Sequence, residues 1–87
     1  MECYAAAELG IGGGELAGAI RAGRRLIALD PLRESGHRYL MQALAAHGNL
    51  AEALTVYGRL SELLREQLGV SPSPTTRAVY QQLLEQT

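Results

Sequence analysis

The chain has 87 residues, with Lys+Arg 8 against Asp+Glu 9 and a formal charge of -1. That is room for one small domain, and too little positive charge to make this segment itself a nucleic-acid binder. The 47% hydrophobic content rests mainly on Ala and Leu, with no Phe or Trp, which excludes a disordered tail. No run approaches the roughly 20 apolar residues of a spanning helix, no signal peptide opens the chain, and a cytoplasmic location is expected. Cys3 stands alone, so there is no internal disulfide or cysteine metal cluster, and it reads as a small apolar side chain.

Glu2 to Leu9 is Ala-rich and predicts a short helix. The run Gly10-Ile11-Gly12-Gly13-Gly14 interrupts it as a helix-helix turn; no Lys-Ser or Lys-Thr follows to make it a phosphate loop. From Glu15 to Leu29, Leu16, Ala19, Ile20, Gly23, Leu26 and Ile27 recur at three and four, the period of one helix face. Arg21, Arg24 and Arg25 lie off that face and read as a solvated basic turn. Asp30-Pro31 predicts a cap and first turn for a helix running to about His47, with Leu32, Gly36, Tyr39, Leu40, Ala43 and Leu44 inward.

Gly48-Asn49 separates that helix from one over Leu50 to Leu68, whose inward set is Leu50, Ala53, Leu54, Tyr57, Leu60, Leu64 and Leu68. Gly69 ends it, and Pro72 and Pro74 hold the next residues extended. Ser73 predicts the cap of a last helix that runs to about Gln86 and carries Val79, Tyr80, Leu83 and Leu84 on its apolar side. That stripe either closes the core or associates with another molecule, core closure being the expected role because the end of a stacked array must be covered.

Laid over itself at a shift of 34, the chain pairs Gly14 with Gly48, Leu16 with Leu50, Ala17 with Ala51, Ala19 with Ala53, Arg25 with Arg59, Leu26 with Leu60 and Leu29 with Leu63. A period of this length, with a turn glycine ahead of an amphipathic helix, is that of stacked helical hairpins, each too small to bury its apolar face alone. Among groups that carry chemistry, Glu34 and His37 form one Glu-x-x-His pair on a helical face, and His47 lies ten residues beyond His37. One copy of that pair is too little for a metal site, and His37 is expected to pack or hydrogen-bond at the hairpin interface. No Ser, His and acid set is suggested by spacing, so no catalytic residue, metal or cofactor is expected.

The segments from Gly14-Glu15-Leu16 to Leu29-Asp30-Pro31 and Gly48-Asn49-Leu50-Ala51-Glu52-Ala53-Leu54 resemble tetratricopeptide repeats. Over nearly the whole chain the sequence resembles the bacterial transcriptional activator domain of regulators of the type controlling antibiotic biosynthesis in streptomycetes. The likeness is carried by Leu29-Asp30-Pro31-Leu32-Arg33-Glu34, His37-Arg38, Leu40-Met41, Ala43-Leu44, Gly48, Tyr57 and above all Leu68-Gly69-Val70 with Pro72-Ser73-Pro74. The first repeat departs from the pattern, with Gly23 where an aromatic is usual.

The resemblance implies an all-α, tetratricopeptide-like right-handed solenoid of antiparallel helical hairpins, about five helices in one domain over the whole chain, as a piece of a longer regulator. It implies a non-enzymatic module for oligomerisation or protein contact, the partner being another protein or a second copy in a homodimer, with DNA bound only by a separate winged-helix domain and no membrane partner. The matching groove positions are Tyr4, Glu8, Ile11, Ser35, Arg38, Gln42 and Ala45. The alternative parent is a signalling ATPase or nucleotide cyclase, in which the same fold would be a regulatory segment.

Overall fold

A computed structural model describes residues 13–86, which form four α-helices with no strand among them. They are α1 (Gly13–Leu29), α2 (Glu34–Ala46), α3 (Leu50–Leu68) and α4 (Pro74–Leu84). The helix expected over Glu2 to Leu9 lies outside the described residues. In the glycine run, Gly13 and Gly14 already belong to α1.

Local chemistry accounts for most of the helix ends. Asn49 N–H donates to the Leu44 carbonyl (2.8 Å) and Gly48 N–H to that of Ala45 (3.0 Å), with Gly48 at φ 83°, the paired bonds of a Schellman terminus. The Asn49 side chain then caps α3 by accepting from Glu52 N–H (3.4 Å) and donating to its carboxylate (2.8 Å). Gly69, at φ 69°, ends α3 in the left-handed region that other residues enter at a cost.

One expected boundary is corrected: α2 begins at Glu34 and not at Pro31. Arg33 N–H donates to the Asp30 carbonyl (3.1 Å), closing a four-residue turn with Pro31 at its second position, where the fixed φ of proline fits. The Asp30 carboxylate accepts from Arg33 Nε (3.2 Å), so it serves the turn and not the free amides of the helix.

Helix α2 packs on α1, on α3 and less extensively on α4, and so is the centre of the fold. Its buried residues, Gly36, His37, Leu40, Met41, Ala43 and Leu44, therefore cover more of its circumference than one amphipathic stripe. Met41 is fully buried although it lies off the expected face, and Val56 of α3 is likewise a core residue outside the expected set. Leu40, Met41, Leu44, Ala53, Val56, Val79 and Leu83 form one cluster.

Two residues expected inward are exposed: Leu26 at 47% and Leu68 at 56%. Leu68 ends a 19-residue helix packed on a 13-residue one, so the last turn of α3 overhangs by about 9 Å at 1.5 Å per residue. Leu26 sits at the edge of the α1–α2 contact, beside Gly36. The centre of that contact belongs to Gly23, where an added Cβ would lie 3.0 Å from the Leu40 Cβ and 3.1 Å from its Cα. The missing side chain of Gly23 is thus what lets α1 and α2 meet backbone to backbone.

Candidate partner-docking site

Ser35, Arg38, Gln42 and Ala45 share one face of α2 by their spacing of three, four and three. Their surroundings differ. Ser35 is exposed and lines a hollow of about 300 Å³ with Leu26, Leu29 and Arg33 at the α1–α2 turn. Gln42 and Ala45 are half-buried and line a groove of about 260 Å³ on the α2–α4 seam, with Ala46, Val79, Gln82 and Leu83. Tyr4, Glu8 and Ile11 lie outside the described residues. The structure thus brings Gln42 and Ala45 together and leaves Ser35 in another neighbourhood.

Arg38 is drawn into an interhelical network. Its Nη1 donates to Thr76 Oγ1 (2.8 Å), and that hydroxyl, fully buried, donates to Glu34 Oε1 (2.6 Å). Glu34 Oε1 also accepts the Ser73 backbone N–H (2.9 Å). In a capping box the N-cap side chain takes the amide three residues on, while a carboxylate at that third position returns to the N-cap amide. Ser73 makes the first half, accepting from Thr76 N–H (3.4 Å). The third position is Thr, so Glu34 of another helix supplies the second half.

Desolvation alone would raise the Glu34 carboxyl. The bonds from Thr76 and Ser73, with Arg38 nearby, outweigh it and hold the group below its ordinary value of 4.5. Sequence spacing paired Glu34 with His37 and did not find this network. The available signal was Ser73-x-x-Thr76, a cap whose returning carboxylate is missing from its own helix.

The Glu-x-x-His pair accordingly splits. His37 Nε2–H donates to the Pro31 carbonyl (2.8 Å), a bond whose direction is fixed because a carbonyl can only accept. The ring is buried, which agrees with packing at the hairpin interface, and its Nδ1 has no hydrogen-bond partner. Among the described residues no three of His, Cys, Asp and Glu converge on a point.

Arg21, Arg24 and Arg25 of the basic turn of α1 are all exposed, and Arg24 crosses to α3 to pair with Glu52 at 2.5 Å. The Arg24 guanidinium holds the Glu52 carboxyl below its ordinary range. On α4, Val79 and Leu83 lie in the core cluster, and Tyr80 stacks on Tyr57 with ring centroids 3.9 Å apart. Leu84 is half-buried. The inner residues of the stripe are therefore committed to the fold, and α4 turns Thr75, Arg77, Ala78, Gln81 and Gln82 outward, with Gln82 and the following Gln86 at the seam.

No helix among the described residues is long and apolar enough to cross a membrane. Searches of curated proteins and of solved structures return no match. The model of the bacterial transcriptional activator domain, a family of transcription regulators and not of enzymes, matches residues 1–84. With that match over nearly its whole length, and with the Leu68-Gly69-Val70 and Pro72-Ser73-Pro74 segments forming the α3 terminus and the α4 cap, the chain belongs to the bacterial transcriptional activator domain family.

Proposed function

We propose that the chain is a non-enzymatic protein-interaction module of a cytoplasmic transcriptional regulator, stacked in the manner of tetratricopeptide repeats, with DNA contacted by a separate winged-helix domain. The docking surface is the α2–α4 seam. The observation that carries this reading is the seam's composition: Ala45, Val79 and Leu83 form an apolar floor, and Gln42, Gln82 and Gln86 supply amide edges. An extended segment laid there gains apolar contact from the floor and hydrogen bonds from the rim, the two terms that peptide recognition combines.

The first partner to test is a second copy of the chain. Light scattering across a dilution series is expected to show a concentration-dependent dimer, and Ala45→Arg, at a half-buried floor position, is expected to shift it to monomer. A chain monomeric at every concentration would remove self-association. In the intact regulator, Ala45→Arg is expected to abolish promoter activation while operator binding persists; activation unchanged by that variant would remove the seam as the docking surface.

A further inference from the structure

A second hollow lies on other helices. Helices α1 and α3 both pack on α2 but make little contact with each other, and between them is a cavity of about 530 Å³ floored by α2. That volume lies within the roughly 300–1,000 Å³ typical of small-molecule sites. Ile27, Leu40, Val56 and Leu63 make its walls apolar, and Arg24 and Arg59 stand at it with Glu52.

We propose that this cavity binds a small apolar carboxylic acid. Two observations select that chemistry. The Arg24–Glu52 pair spans from α1 to α3 and straps the trough, so a helix or strand cannot lie along it without breaking the pair, whereas a small molecule needs only the space beside the strap.

The two guanidiniums face one carboxylate, which leaves a net positive charge, and Arg59 has no hydrogen-bond or ion-pair partner among the described residues. A ligand carboxylate completes it, and guanidinium presents the fork that a carboxylate fits. His37 lines the same cavity and reports on its occupancy.

Indole-3-acetate, which has an aromatic body and a carboxylate, serves as the probe, with indole as the control that lacks the carboxylate. The test is a titration of the whole chain followed by amide and imidazole NMR shifts. Saturable binding is expected at millimolar concentration or below, the range open to a ligand of about 13 heavy atoms. The shifts should centre on Ile27, His37, Val56 and Leu63. Arg59→Gln, at an exposed position, and omission of the carboxylate should each weaken binding about tenfold. Absence of saturation by about 10 mM, insensitivity to Arg59→Gln, or shifts centred on the α2–α4 seam would each overturn the proposal; the first two leave partner docking at the seam untouched.

Discussion

The two flanks of α2 are held by opposite means. Toward α1 the contact is made close by leaving side chains out, with Gly23 against Leu40 and Gly36 against Leu26. Toward α4 it is made by adding polar groups, as Arg38, Thr76, Glu34 and Ser73 form a connected chain across the seam. The first contact depends on volume and has no directional partner to lose. The second depends on geometry, and each member removed leaves another unsatisfied in a partly desolvated place.

The hardest break of this contrast is Thr76→Val, which keeps the volume and deletes the hydroxyl. Glu34 loses a charge-assisted donor and Arg38 its acceptor, so a loss of about 2 kcal/mol is expected in urea unfolding, or roughly 10 °C in Tm for a domain this small. Gly23→Ala comes next. The atoms it would meet include backbone, which cannot swing aside, so overpacking at about 1–3 kcal/mol outweighs the gain of up to about 1 kcal/mol in helix propensity. A net loss near 1 kcal/mol is expected; a more stable variant would show that the α1–α2 approach is not held at this glycine.

Gly58→Ala sharpens the comparison because the same change has the opposite sign. Gly58 lies inside α3 with open space around its Cα, and the substitution should stabilise by about 0.5–1 kcal/mol. The smallest effect is titration of Glu34. Its carboxyl lies below 4.5 in the folded chain, so its contribution is complete above that pH and is lost as pH falls through the lowered value. The stability difference between the protein and Glu34→Gln should therefore shrink below about pH 4.5, and a constant difference from pH 6 to pH 3 would deny the carboxylate its role.

Much of the helical layout was legible before any contact was known. The period of three and four, Gly48-Asn49, Gly69 and Ser73-Pro74 placed α3 and α4 within two residues of where they lie, because caps and termini are bonds between near neighbours in the chain. The start of α2 was less legible. Asp30-Pro31 can open either a helix or a turn, and the turn closed by Arg33 is the one formed.

The candidate site was legible only in part. Gln42 and Ala45 follow from position on α2, but their groove requires α4 beside them. Arg38 read as an outward groove residue and is half-committed to Thr76. Nothing in the stripe rule marks Met41 as buried, because that rule assumes one partner per helix and α2 has three.

The sequence by itself determined where helices occur, what chemistry closes their ends and which family the chain resembles, since those depend on residues no more than a turn or two apart. Only the tertiary structure decided that Glu34 completes the cap of a helix opening 39 residues later, that Arg24 reaches Glu52, and that Gly23 sits against Leu40. Those outcomes depend on the distance and angle at which packed helices cross, and no local spacing encodes either.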